Sequence, residues 1–374
     1  MIKINYPDKK NEREELELKY LKLFETQKTQ FDNIKNTRLG SRAQKIFFKR
    51  IKYKDIILGR IEKLVSIFCD FEALKATDRK RINELFKDVF SYDQSKISSF
   101  FEEQNHVFNL KSCYYCNIDS VHVFAASDGY KDRLDFIRHA SEAELLSVPG
   151  VGPVTVSRVV GLANRSTLTK ETLPFPALRV YNALKKHRGD NKNTFTLDHF
   201  IPQSRCCLFA RSLYNFVPSC YACNSKFKKN ILFNNAIKEL YQCCPTYHDY
   251  DRSGNLQFSL SLKNAVNIFD YSKSDRAAFL DNFNIEIETA NPRNQIISLL
   301  HLRQRYSLFK DKAVKLAYLK EKYSEATINE IEKILSGHGI APGNIRNDIF
   351  HEPICENESL SKLYRDIMRQ VGIK

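Results

Sequence analysis

The sequence has no apolar run able to cross a bilayer. Its longest weakly polar stretch, Leu145 to Ala163, has about the length of a span but contains Pro149, Pro153, three glycines and Arg158. Helix breakers and a cation at those positions argue against a membrane helix, so the stretch reads as a soluble hairpin and no membrane partner is expected. Met1 to Lys10 is polar and no apolar h-region follows it, so export is not expected and a cytoplasmic location is. Internal repeats and low-complexity linkers are missing too. No four-cysteine iron–sulfur spacing occurs.

What is present fits a globular chain. Its 374 residues suggest two or three domains, with 43% apolar and 28% charged residues. The net charge of +15 makes a polyanion the first partner to consider. Residues 150 to 230 hold thirteen Lys/Arg (Arg158, Arg165, Lys170, Arg179, Lys185, Lys186, Arg188, Lys192, Arg205, Arg211, Lys226, Lys228, Lys229) against Glu171, Asp190 and Asp198. Such an excess is most often a solvated face.

Residues 1–110 form an N-terminal helical region: Glu14 to Phe31 and Tyr53 to Phe71 carry apolar residues at three-to-four spacing. From Ser112 the texture changes to Cys113-Tyr-Tyr-Cys116 and the β-favouring run Val121 to Phe124. Helix and turn signals then run to about Asn193, followed by a short strand from Thr194 to Phe200. Residues 241–374 form a C-terminal, mostly helical region, in which Ile340 to Asn347 and Ser359 to Ile373 offer no catalytic pattern. The expected class is α+β, mostly α.

Ten cysteines in a reducing compartment serve metals more often than disulfides. Two Cys-x-x-Cys pairs, Cys113/Cys116 and Cys220/Cys223, supply the four thiolates on which a structural Zn²⁺ closes. The vicinal pairs Cys206/Cys207 and Cys243/Cys244 lack the intervening loop that lets two sulfurs face one ion, and read as core thiols.

A second set lies beside these pairs: Leu197-Asp198-His199-Phe200-Ile201-Pro202, then Asn215-Phe216-Val217-Pro218, then Cys220-Tyr-Ala-Cys223-Asn224. Adjacent residues of a strand point to opposite faces, so Asp198 and His199 can serve one site only where the strand ends or twists. Pro202 supplies such an end. A carboxylate and an amide oxygen suit a hard divalent cation such as Mg²⁺ or Mn²⁺. Histidine, with an ordinary pKa near 6.5, suits base chemistry at neutral pH.

The order and combination of these residues resemble the HNH endonucleases of the ββα-metal fold, over residues 111–240. The resemblance implies a metal-dependent nuclease of nucleic acid, DNA foremost, in which His199 is the general base and Asn215 pins the loop that orients it. Asp198 and Asn224 would hold the Mg²⁺ or Mn²⁺, and Cys113, Cys116, Cys220 and Cys223 the structural Zn²⁺. Lys226, Lys228 and Lys229 would face phosphates, with Lys228 one helical turn beyond Asn224. His106, His122, His139, His187, His248, His301, His338 and His351 carry no such motif and read as surface or core residues.

Asp198 lies 82 positions beyond Cys116, so a helical insertion, about 125–193, must loop out and return. Within it, Leu145 to Val156 resembles a helix-hairpin-helix motif, in which Gly150 and Gly152 let backbone N–H groups approach a phosphate. Arg158 and Arg165 follow directly. A DNA glycosylase fits poorly, since no aspartate lies between Gly152 and His187. The alternative of another class is a non-catalytic, zinc-stapled nucleic-acid-binding protein. A chain of this size around an HNH core is also similar to bacterial antiviral defence nucleases that act beside an ATPase partner.

Overall fold

The computed structural model describes residues 2–125, 130, 132–187, 191–250, 256–273, 275–289, 294–338, 348–350 and 357–373. Arg188, His351 and Ile340 to Asn347 lie outside these, as do the side chains of Lys185, Lys186, His187 and Lys192. The described chain is mostly helical, with three two-stranded antiparallel sheets. No described helix is long and apolar enough to cross a membrane. Contacts divide the chain into two compact units.

The first unit comprises residues 1–93, 107–121 and 195–374. Its N-terminal helices form because apolar residues recur on one face: Ile61–Glu72 buries Ile61, Leu64, Val65, Phe68 and Phe71. Phe31, Phe48, Tyr53, Phe86 and Phe90 pack ring against ring at centroid separations of 4.8 to 6.3 Å. At roughly 1.5–3 kcal/mol for each large apolar side chain fully buried, this cluster is the main adhesive of the N-terminal region.

That region wraps around residues 195–230. Arg211, counted above among the basic residues, is buried. It donates to the Val89 and Ser91 carbonyls at 3.0 and 2.5 Å and lies over the Phe24 ring. Tyr20 Oη donates to the Arg211 carbonyl at 3.0 Å, and Ser212 Oγ to that of Ile56 at 2.5 Å.

Strands β3 (Thr196–His199) and β4 (Phe216–Ser219) pair antiparallel, with Asp198 opposite Val217 and His199 opposite Phe216. A π-helix, Ala222–Lys228, follows. Further on, Gln257–Leu262 pairs antiparallel with Phe283–Glu288. The helix Ser361–Gln370 packs on this hairpin, Asp366 accepting from the Phe258 amide at 2.9 Å.

The second unit comprises residues 94–106 and 122–194. Strands β1 (Val123–Ala125) and β2 (Asn191–Asn193) pair antiparallel and close its two ends together. Its core is built from Phe136, Ile137, Leu145, Val156, Val159 and Val180, among others. A capping box between Ser141 and Glu144 starts the helix Glu142–Leu146. Val151 N–H then donates to the Val148 carbonyl at 3.0 Å, with Pro149 second and Gly150 third in the turn. Gly150 has φ +82°, so this is the type II pattern, which needs glycine at its third place. The next helix, Pro153–Val160, begins with proline at its first position.

Two expectations change. The segments Glu14 to Phe31 and Tyr53 to Phe71, read as helical, are each broken, the first between Lys10–Lys22 and Thr26–Thr37 and the second between Tyr53–Ile57 and Ile61–Glu72. The second turns at Gly59, where a Cβ would lie 2.1 Å from the Asp55 carbonyl oxygen. Arg165, read with Arg158 as a cation following the hairpin motif, donates instead to the carbonyls of Ile137 and Ala140.

Gly59→Ala is expected to cost about 1–3 kcal/mol, the usual range for forcing volume into a packed site. Gly40→Ala is the control, since nothing lies within 4 Å of its would-be Cβ. Urea denaturation should lower the midpoint for the first and leave the second near wild type.

Candidate functional site

The two cysteine pairs meet. The Sγ atoms of Cys113, Cys116, Cys220 and Cys223 all lie within 4.8 Å of one another, and all four residues are buried. Local backbone explains why each pair can converge. Asn117 takes a left-handed φ of 55° and donates to the Cys113 carbonyl at 2.7 Å, which curls the first knuckle. In the second, Asn224 N–H donates to the Cys220 carbonyl at 3.1 Å, and Cys223 N–H points at the Cys220 sulfur at 3.4 Å.

A tetrahedron with metal–sulfur bonds of about 2.3 Å needs only a small contraction of this set. The cluster therefore fits a structural metal such as zinc. Cys206, Cys243 and Cys244 are buried cysteines outside it and in no disulfide, and Cys207 is a partly buried one.

Arg305 closes over the cluster. Its guanidinium donates to Cys223 Sγ at 3.2 Å, Cys116 Sγ at 3.4 Å and Asp119 Oδ2 at 2.8 Å. Burial pushes the Cys113 thiol well up. Burial works the same way on Cys116, but hydrogen bonds from the other three thiols, with the charge of Arg305, hold it well below its ordinary value.

On the neighbouring hairpin, Asp198, His199 and Asn224 line one cleft of about 230 Å³, with Gln203, Ser225 and Lys229. His199 Nε2 lies 3.1 Å from the Ala210 carbonyl oxygen. A carbonyl only accepts, so Nε2 carries the proton and Nδ1 keeps a lone pair. The ring is wedged between Tyr92 and Phe216, at centroid distances of 4.7 and 4.9 Å. Burial pushes its pKa down to about 4; the Ala210 carbonyl opposes this and the Lys228 ammonium adds to it.

Asn215 is fully buried and its amide is fully used. Its Oδ1 accepts from Ile201 N–H at 2.7 Å, and its Nδ2 donates to the Ile201 and Phe209 carbonyls at 3.0 and 3.1 Å. It thus ties down the loop that ends at Ala210, the residue whose carbonyl holds the imidazole. Asn224 Nδ2 donates to Thr196 Oγ1 at 3.0 Å, and its Oδ1 accepts no hydrogen bond among the described residues.

Asp198 is 3% exposed and both its carboxylate oxygens are engaged. Tyr115 Oη donates to Oδ2 at 2.5 Å, while Lys228 Nζ lies 3.1 Å from Oδ1 and 2.9 Å from Oδ2. Burial raises the Asp198 pKa against the pull of Lys228 and Tyr115. The Lys228 ammonium, a donor only, lies against both oxygens, and that contact favours the anion.

The sequence places Lys228 at a phosphate, but its side chain is wholly buried. The π-turn explains this. Lys229 N–H donates to the Asn224 carbonyl five residues back, at 2.8 Å. The wider turn carries Lys228 away from where an α-helix would set it relative to Asn224. Lys226 and Lys229 are exposed, and Lys229 has a left-handed φ of 49° beside the cleft. Gly150, Gly152 and Arg158 are exposed in the second unit. Tyr115 and Arg305 escaped sequence reasoning: the first sits inside a knuckle and reads as core, and the second is 189 positions from Cys116 with no motif around it.

No protein-family model matches the chain, and comparison with curated proteins and with solved structures finds no match.

Two outcomes are expected. Cys220→Ser should lower the zinc content, measured by metal analysis, from about one ion per chain and unfold the knuckles, since metal binding of this kind is folding free energy. His199 should make stability depend on pH. The unfolded chain takes up a proton below about 6.5, which the folded imidazole refuses until about 4, so stability is complete above 6.5 and falls between these values. The loss is on the order of 3 kcal/mol. Chemical denaturation at several pH values should show a shallower slope in His199→Gln, which separates the imidazole from carboxyls titrating nearby.

Proposed function

We propose that the cleft hydrolyses phosphodiester bonds of nucleic acid, DNA foremost, in the manner of an HNH endonuclease. The observation that carries this reading is His199: a neutral imidazole with Nδ1 unprotonated, held by the Ala210 carbonyl in a cleft that Asn224 and Lys229 also line. A cysteine pair, a strand pair, a second cysteine pair and a helix that begins within it support the ββα-metal resemblance.

His199 Nδ1 would take the proton of the attacking water, and the Ala210 carbonyl would steady the imidazolium that results. A pKa of about 4 makes the ring a weak base in the free protein. A phosphate docked beside it raises that value by favouring the charged form. Lys229, and Lys226 on the same exposed segment, would attract the backbone. The exposed Gly150 turn and Arg158 would bind phosphates without reading sequence.

The family comparison calls for Mg²⁺ or Mn²⁺ between Asp198 and Asn224, an ion that would offset charge developing on the phosphate. Asn224 Oδ1 suits it, but Asp198 as arranged does not, because Lys228 and Tyr115 already occupy both its oxygens. That same engagement favours the second reading, a zinc-stapled protein that binds nucleic acid without cutting it. A role in antiviral defence beside an ATPase, in the cytoplasm, rests on chain size and the HNH-like core.

The two readings separate on purified protein given plasmid, linear DNA and RNA, with and without Mg²⁺ or Mn²⁺. Wild type is expected to cut, and His199→Ala to be slower by about 10²–10⁴-fold, the span a positioned general base contributes, with binding by fluorescence anisotropy retained. Equal cutting by both proteins removes His199 from the chemistry, and binding with no cutting by wild type establishes the second reading.

A further inference from the structure

We propose that the Lys228 ammonium takes the place of a divalent ion at Asp198, so that Asp198 is a positioning residue for His199 and not a metal ligand. This rests on the nuclease reading for its consequence but on separate contacts for its content. Lys228 is wholly buried. Its three N–H groups have three acceptors within 3.1 Å: Asp198 Oδ1, Asp198 Oδ2 and the carbonyl oxygen of His199 itself, the last at 2.9 Å. One charge therefore grips a carboxylate and the backbone of the residue beside it.

That is the bridging role a cation would play at the end of β3. An ion entering here would have to expel a wholly buried ammonium from its three acceptors. Tyr115 Oη also holds carboxylate Oδ2, and the Phe233 ring lies 5.6 Å from Nζ. The π-turn supplies the means, since it is what brings residue 228 inward while Asn224 stays on the cleft. The imidazole is then aimed from two sides, by Lys228 through its own carbonyl and by Ala210 through Nε2. A divalent ion, where the reaction uses one, would have Asn224 as its ligand from this chain in the cleft.

The probe is Mn²⁺ alone, titrated into the full chain. In wild type labelled with ¹³C-aspartate, electron–nuclear double resonance of stoichiometric Mn²⁺ should show no ¹³C coupling of the size that a directly ligating carboxylate gives, and Asp198→Asn should bind Mn²⁺ within about twofold of wild type. Lys228→Met frees the carboxylate and should tighten Mn²⁺ at least tenfold. Each single variant should melt below wild type, and the double variant should recover part of the loss.

A ¹³C coupling of ligating size in wild type overturns the proposal, and that measurement needs no variant to fold. So does a tenfold or greater loss of Mn²⁺ affinity in Asp198→Asn with an unchanged melting midpoint. DNA cutting by wild type together with either result would keep the nuclease reading and sink the lysine. Absence of cutting with no such coupling would do the reverse.

Discussion

Four thiols brought within 4.8 Å of one another fix the architecture of the first unit. The two knuckles lie more than a hundred positions apart, and closing so long a loop costs conformational entropy that grows only slowly with length. An ion bound by four thiolates returns on the order of 10 kcal/mol or more. The insertion can therefore be long without loosening the knuckles, provided that its ends are close together. Pairing of β1 with β2 meets that condition.

The knuckles also gather both ends of the chain. Ile2 N–H donates to the Tyr114 carbonyl at 3.2 Å, and Tyr306 Oη to that of Cys116 at 2.6 Å. Asn117, needed for the left-handed turn, receives the Leu360 and Lys362 amides on its two oxygens and donates to the Glu358 carbonyl at 2.7 Å. A four-thiolate zinc centre carries a net charge of −2, which is costly to bury unless a cation lies against it. Arg305 supplies that cation from the C-terminal region. The helical flanks are thus part of the metal site's electrostatics, which explains why a small motif sits inside so large a unit.

Much of the site was legible because its chemistry needs fixed spacings. Cys-x-x-Cys pairs are required wherever two sulfurs must face one point, and an Asp-His at a strand end followed by Asn215 and Asn224 is rare enough in combination to be read. The fold class was legible from three-to-four spacing, although the break at Gly59 was not, since it depends on how close Asp55 comes. What stayed hidden was direction. A sequence places Lys228 near Asn224 but does not say whether the intervening turn is α or π. It shows that Tyr115 is aromatic, but not that its hydroxyl meets a carboxylate 83 positions away.

The same ambiguity governs how the positive charge should be read. Of the thirteen cations between residues 150 and 230, Arg165, Arg211 and Lys228 are spent inside the protein on carbonyls and a carboxylate. Arg158, Lys170, Arg179, Arg205, Lys226 and Lys229 are exposed. Counterion release depends only on cations that reach phosphates, so net charge overstates the field that a polyanion meets. A guanidinium held by backbone carbonyls still shapes the exposed surface at one remove, because it ties down the loop that carries its exposed neighbours. Arg165 does this for the helices around Arg158, and Arg211 for the loop that ends beside His199. The basic excess is therefore two populations, one that holds the fold and one that faces solvent, and only contacts separate them.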